Sequence, residues 1–539
     1  MVSQYIRDLK KEFYGYNAAK LMKDLLAGLT VAAVALPLAL AFGVSSGADA
    51  AAGLVTAIIA GLVITALSGA SFQISGPTGT MTAVLLPIAA TMGIKGVLIV
   101  TFLAGVLRII FALLKLGRLV SFIPSSVLTG FTSGIAIIIA FGQLDNFFGT
   151  KSKGFNLVEK IGYYITNGIE PNWFAVGISV VSILFMVLYP KKLNAKLPSS
   201  LALIVLAVIA NMIFRFPVGI IGEIPRTILL ADRLTFADLS MLKDWHQYLI
   251  PALSVACLCI IETLLSGVYG GNLKGEKFNA DRELIAQGIG NLIIPFFGGV
   301  PATAAIARTS VAIKSGLQTR LTGIIHAVGL LASMLLLAPV MSNIPLSALS
   351  GVLIVTAWRM NEWNKIRFIF RKRFKSDIAL YFITLAATVF LDLTMAIVIG
   401  VAAGLVMFIA KSTDIDVTVE DVDLDRLGVG GINHDHNWSV VYVTGPMFFM
   451  TSETIRQRLE ELSEQDLIIF SLRGVPMADV TSVSVIIDFY QQATAQGKQV
   501  LFSSIQPAVM RIFERSGLVE VAGKDAFYFS VDKVLKELL

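Results

Sequence analysis

Ser75-Gly76-Pro77-Thr78-Gly79-Thr80 opens a short apolar stretch, 77–93, in a chain of 539 residues. Gly299-Val300-Pro301-Ala302-Thr303-Ala304 opens a second one, 301–316. Proline suits the first helical position because its missing N–H would lack a partner there anyway, so each motif reads as a helix beginning at its proline. Both helices start among apolar runs, so they start inside a bilayer. A helix begun at that depth leaves free N–H groups and the positive end of its dipole pointing into a cavity. Two such ends facing each other bind an anion. The small residues Gly79, Thr80, Ala304 and Ala305 let a ligand approach the backbone. The competing reading is that Pro and Gly mark only kinks or close packing.

The two prolines are 224 residues apart, and the same offset lays Leu38 on Glu262 and Phe42 on Ser266. That spacing suits an inverted repeat of the kind transporters carry. A bilayer-crossing helix needs about 20 apolar residues. Clear runs lie at 24–46, 50–68, 95–114, 122–143, 173–190, 198–214, 248–268, 321–341, 376–391 and 393–410. Shorter ones lie at 77–93, 284–297, 301–316 and 345–358. The expected fold is therefore an α-helical polytopic membrane protein of about fourteen segments, seven before about residue 216 and seven after about 248.

Composition agrees: 55% of residues are apolar, 15% are charged and Cys numbers 2. A soluble enzyme, a disulfide scaffold and a disordered chain are all excluded. The net charge of +6 divides into +15 over 1–411 and −9 over 412–539, so two chemically different parts share the chain. It predicts no nucleic-acid partner. The first 23 residues are polar, with Arg7, Lys10, Lys11, Lys20 and Lys23, and lack a cleavable-signal pattern. Basic connections carry Lys115 and Arg118, then Lys191, Lys192 and Lys196, then Lys314 and Arg320. The richest runs from Lys365 through Arg367, Arg371, Lys372 and Arg373 to Lys375, whereas 215–247 is balanced. The positive-inside rule then puts both termini in the cytoplasm of a cell with the protein in its inner or plasma membrane. Asn361 to Lys375 mixes aromatic and basic residues, which suits either an amphipathic helix at the inner surface or a plain connector.

Ionisable residues at membrane depth are functional candidates because burying one alone costs about 2.5–3.5 kcal/mol. Glu262 lies within Leu253 to Ser266, and Arg308 lies seven residues beyond Pro301, about two turns into the expected helix. Arg308 is read as a fixed countercharge for the anion. Glu262 is read as a proton carrier or as the ion-pair partner of Arg308. Asp24, Asp377 and Asp392 read as boundary residues, and Arg108 as a side chain snorkelling from a segment end. Cys257 and Cys259 are two apart on a helix and suit neither a disulfide nor a metal. His434-Asp435-His436 reads as solvated linker and His326 as a hydrogen-bonded packing residue. No nucleotide-binding or hydrolase motif occurs, which argues against an ATP-driven pump and against an enzyme.

The acidic tail follows a linker, 412–437. Strands at Trp438–Thr444, Leu467–Leu472 and Gln499–Ser504 alternate with helices at Ser452–Leu462, Thr481–Gln496 and Pro507–Ser516. Phe527–Phe529 and a helix at Val531–Leu538 close the pattern. Such alternation implies a small α/β domain over 438–539 with a largely parallel sheet. The chain thus divides into an N-terminal segment 1–23, a transport domain 24–411, the linker and this domain.

These residues resemble the SulP anion permeases, bacterial relatives of the SLC26 transporters. The resemblance rests on Ala27-Gly28-Leu29-Thr30-Val31 with Ala35-Leu36-Pro37, on Ser75 to Gly79, on Gly298 to Pro301, and on a tail similar to STAS domains. It implies two inverted repeats of seven segments, a mobile core (1–4 and 8–11), a gate (5–7 and 12–14), elevator movement and a homodimer. Carried over by position, it implies an anion site between segments 3 and 10. That site would use Thr78, Gly79, Ala305, Ile306, Ala307 and Arg308, walled by Phe42, Glu262 and Ser266. Leu38 stands where many members carry Gln. Sodium-coupled bicarbonate members carry Asp at the Glu262 position and no Arg at that of Arg308, so this pair looks more like proton-coupled or exchanging members. Asp479-Val480-Thr481-Ser482 resembles the phosphorylation motif of some STAS proteins, with Thr481 at the acceptor position, although capping of the next helix by a hydroxyl also accounts for it.

The expected function is proton-coupled uptake or exchange of sulfate, bicarbonate or a dicarboxylate, with no cofactor beyond the coupling ion. The partners implied are the anion, the bilayer, a second copy and a cytoplasmic protein bound by the tail. Passive anion channel, nucleobase symporter and membrane-tethered regulator are the alternatives.

Overall fold

The computed structural model describes residues 2–115, 124–152, 157–190, 193, 197–391, 393–413, 415–422, 437–462 and 465–538. Arg118, Lys191, Lys192, Lys196, Asp392 and His434-Asp435-His436 lie outside them. The chain forms two compact units, 1–402 and 403–539.

The first unit is a bundle of apolar helices. Among the described residues six are long and apolar enough to cross a bilayer: Ala18–Ser45, Ala50–Leu67, Gly79–Leu113, Ser125–Phe148, Ala237–Lys274 and Leu321–Met341. Gly79–Leu113 is two segments, 3 and 4, because Gly93 breaks it at φ 68°, ψ 179°, a conformation open to glycine. The others are segments 1, 2, 5, 8 and 11. Shorter apolar helices supply segment 6 (Trp173–Leu188), 7 (Ser199–Phe214), 12 (Leu346–Met360) and 14 (Leu393–Ser412). Segment 9 is Ala280–Ile293, segment 10 Ile306–Lys314 and segment 13 Lys375–Phe390. A helix therefore stands at each of the fourteen apolar runs.

Side-chain caps start several of these helices. Asn17 accepts from Lys20 N at 3.0 Å, Asp49 from Ala52 N at 2.6 Å and Asn279 from Arg282 N at 3.0 Å, each satisfying a donor that the helix itself cannot. Asp24, expected at a boundary, is fully buried in segment 1. It accepts from Gln318 N (2.7 Å), Thr319 N (3.1 Å) and the hydroxyls of Thr319, Thr322 and Tyr16. It thereby caps the amino end of segment 11 from another helix.

After the short strands β1 (Ser75–Gly76) and β2 (Thr303–Ala304) of the first unit, the second unit holds a five-stranded sheet in the order β3 (Asp416–Asp421), β4 (Trp438–Thr444), β5 (Leu467–Gly474), β6 (Gln499–Ser503) and β7 (Phe527–Tyr528). β4, β5, β6 and β7 run parallel, which requires the helical crossovers the sequence alternation predicts. Phe470 and Phe502 of the sheet and Phe513 of the helix Pro507–Arg515 are buried, each worth about 1.5–3 kcal/mol of apolar burial. β3 (Asp416–Asp421) corrects the reading of 412–437 as linker. It pairs antiparallel with β4 in register Val417↔Val443 and Val419↔Val441. Its three acidic residues, Asp416, Glu420 and Asp421, disguise a period-two pattern that turns Val417 into the core.

Helix Val480–Ala495 also departs from expectation. Asp479 is its N-cap, in a reciprocal capping box with Ser482, so the capping hydroxyl is that of Ser482. Thr481 is exposed in the first turn.

Candidate functional site

Segments 3 and 10 are each preceded by two extended residues, β1 (Ser75–Gly76) and β2 (Thr303–Ala304). The strands pair antiparallel, Ser75↔Ala304 and Gly76↔Thr303. Ala305 N adds a bond to Ile74 O at 2.9 Å, and Ile74 N one to Thr309 Oγ1 at 3.2 Å. Because the strands are antiparallel, the helices leave in opposite directions and their amino ends meet at the ladder.

The helix starts differ from those read off the prolines. The N-caps are Thr78 and Ala305, three residues further apart than Pro77 and Pro301. Neither proline is the first helical residue, because the ladder keeps the backbone around it extended. Arg308 therefore sits in the first turn of its helix, not two turns along.

The two ends are unequal. Thr78 Oγ1 accepts from Met81 N at 3.5 Å, whereas no side chain caps Ile306–Lys314. The first N–H groups of that helix have no intrahelical acceptor and carry its positive pole. Ala305 is half-buried, Ile306 and Ala307 are exposed, and Arg308 is 1% exposed.

Arg308 donates from Nη2 to Pro77 O at 2.9 Å, while Nη1 has no partner among the described residues. A side chain on Gly76 would collide with Nη1, so the glycine makes the guanidinium's room. Glu262 and Arg308 form no ion pair among the described residues, which removes the mutual-pair reading. Glu262 instead accepts from Thr78 Oγ1 at 2.9 Å. The Phe42 ring edge stands 3.1 Å from where a Gly79 Cβ would be. Ser266, one turn beyond Glu262, shares a 3.4 Å hydrogen bond with Thr309, next to Arg308. The predicted residues thus gather around one ladder, and Thr481 lies in the other unit.

A buried polar network around the ladder escaped the sequence reading. Glu283, Gln287 and Asn291 follow each other at one-turn spacing on segment 9 and are all buried. Glu283 accepts from Ser68 Oγ and from Gly69 N; Gln287 donates to Ser75 Oγ at 2.6 Å. Asn291 clamps Ala302 twice, accepting from its N at 2.8 Å and donating to its O at 2.9 Å. Arg108 does not snorkel: fully buried, it donates to Ala302 O (3.0 Å), Thr263 Oγ1 (3.1 Å) and Gln287 Oε1 (3.2 Å). Arg108 thus has three acceptors, although its Nε has none among the described residues, where Arg308 has one. The polar stripe 283, 287, 291 in an apolar run was the available signal. His326 is buried in segment 11, as a packing residue is.

The chain matches the family model for the sulfate permease family over residues 21–384 and that for the STAS domain over 431–533. It is 31% identical over 539 residues to the putative sulfate transporter YvdB of Bacillus subtilis, covering 97% of this chain and 98% of that one. It is 30% identical over 541 residues to the bicarbonate transporter BicA of Picosynechococcus sp., covering 95% and 94%. The structure of SLC26A9 superposes with a TM-score of 0.83 at 17% identity, over 99% of this chain and 94% of that one, a likeness of fold. The transmembrane domain of a cyanobacterial BicA superposes with a TM-score of 0.64 at 28% identity, over 72% and 98%. With fourteen helical segments among the described residues around a paired break and an α/β domain after them, the chain belongs to the sulfate permease family, a family of membrane transporters and not of enzymes.

Proposed function

We propose that the protein is a secondary transporter of a small anion, moved by proton-coupled symport or by exchange. One observation carries this reading: Arg308 is buried, in no ion pair among the described residues, with one guanidinium nitrogen unpartnered beside an uncapped helix end. A buried cation without a countercharge is costly and attracts an anion.

The anion docks on the first N–H groups of Ile306–Lys314, with Arg308 behind them. Phe42 forms an apolar wall, Thr78 and Gly79 line the opposite helix end, and Ser266 flanks the first turn. The names of the relatives, sulfate transporter and bicarbonate transporter, favour sulfate and bicarbonate over a dicarboxylate. Glu262 carries the coupled proton: ionised it repels the anion, protonated it tolerates it. Segments 3 and 10, tied by the ladder and by segment 9, move together past the gate in an elevator step, in a homodimer with both termini cytoplasmic.

The test is uptake of labelled sulfate, bicarbonate and dicarboxylates into proteoliposomes under imposed proton and sodium gradients. Saturable uptake of one anion, driven by the proton gradient or by a counter-anion and uncoupled from protons by Glu262→Gln, is expected. Unsaturable current following the electrochemical gradient would instead make the protein a channel.

A further inference from the structure

The stretch 361–375, between segments 12 and 13, forms the helix Trp363–Arg371. Ile369, 8% exposed, seats it, as does Phe370, whose ring meets those of Tyr381 and Phe382 of segment 13 edge-on, both at 5.7 Å. Trp363 packs its ring 4.4 Å from that of Trp358 and donates its indole N–H to Trp358 O at 3.0 Å. Trp358, Trp363, Ile366, Arg367 and Phe370 line a groove of about 410 Å³. The four helical members stand at i, i+3, i+4 and i+7, one face of the helix.

Cations ring the groove. Glu362 is the one acidic residue of the stretch, and Lys365 pairs with it at 2.7 Å. Arg367, Arg371, Lys372, Arg373 and Lys375 are exposed and form no ion pair among the described residues. The helix ends in a Schellman turn, with Phe374 N bonded to Ile369 O at 3.3 Å and Arg373 N to Phe370 O at 3.2 Å. Arg373 takes the left-handed position there, φ 54°, where glycine is the usual residue. Charge is thus kept at a position where backbone preference alone favours glycine.

We propose that this groove binds an anionic phospholipid of the bilayer surface. Its walls are tryptophan and phenylalanine, with Trp358 65% exposed at the end of a membrane segment, the depth at which aromatic belts meet headgroups. These rings take the glycerol and upper acyl region. Arg367 takes the phosphate, and Lys372 and Arg373 supply the surrounding positive field. A free phosphate would leave the aromatic walls wet, so the commitment is to the lipid.

The experiment uses the full chain in phosphatidylcholine vesicles doped with either brominated phosphatidylglycerol or brominated phosphatidylcholine, and reads tryptophan quenching. The chain has 5 tryptophans, and those outside the groove give a background common to both lipids. Phosphatidylglycerol is expected to quench more strongly, and the excess to vanish in Trp358→Phe/Trp363→Phe. Arg367→Gln/Arg373→Gln, with the reporters intact, should lower the preference by about fivefold per cation removed. Equal quenching by both lipids overturns the proposal. So does loss of the preference on adding inorganic phosphate at constant ionic strength, which means a free-anion site. Absence of quenching by either lipid also overturns it, because protein then covers the groove. If a variant fails to fold, the wild-type comparison of the two lipids decides alone.

Discussion

Thr78 donates its hydroxyl to Glu262 at 2.9 Å, joining the amino end of segment 3 to the middle of segment 8 across 184 residues of sequence. The same oxygen accepts from Met81 N and caps the helix. One hydroxyl therefore holds a helix end in place and hydrogen-bonds the carboxylate assigned to proton coupling.

Replacing Thr78 separates those roles. Thr78→Val removes both bonds at nearly constant shape and should cost about 1 kcal/mol of stability through the lost cap. It should also shift the pH dependence of uptake, while Thr78→Ser retains both properties. Thermal unfolding and a pH profile of uptake check this; an unmoved profile in Thr78→Val would break the link to Glu262.

Gly76→Ala places a methyl group against Arg308 Nη1. With backbone packed around it, the guanidinium must move, so transport should be lost while the bundle stays folded. Gly177→Ala is the control, because a Cβ there meets nothing within 4 Å. Equal uptake by the two variants would mean that the position of Arg308 is unimportant.

Asn291→Ala strands the N–H of Ala302, a buried polar group costing about 1–3 kcal/mol, while Arg108 keeps its C=O paired. As Asn291 sits behind the ladder and not at the proposed ligand, the variant should raise KM and lower Tm together. A fall in Tm with KM unchanged would confine Asn291 to stability.

Tyr16, in the connection before segment 1, has its pKa pushed up to about 12 by burial and by its hydrogen bond to Asp24. A raised pKa favours the protonated phenol in the folded state. Its contribution is therefore whole below the ordinary tyrosine value of 10.0 and disappears as pH rises through about 12. The stability difference between the wild type and Tyr16→Phe should stay constant up to about pH 10 and then shrink. A difference independent of pH across that window would contradict the bond to Asp24.

The membrane segments were legible because a bilayer demands long apolar runs, and the strands β4 to β6 because they alternate with amphipathic helices. The helix starts at Thr78 and Ala305 were not, since the ladder pairing Ser75 with Ala304 is a long-range contact that proline spacing does not encode. β3 was hidden by its own acidity. Arg308 and Glu262 were legible as charges in apolar runs, but their separation depends on Thr78 and Pro77 O, which only the folded chain brings within reach. The polar stripe of segment 9 shows in its spacing, but its partners Ser75 and Ala302 come within reach only in the folded chain.

The most direct measurement compares uptake of labelled sulfate and bicarbonate by proteoliposomes holding the wild type or Arg308→Ala, with folding checked by thermal unfolding. Saturable uptake of at least one anion by the wild type, and uptake at the level of protein-free vesicles by the folded variant, are expected. Unaltered uptake by Arg308→Ala would contradict an anion site at Arg308.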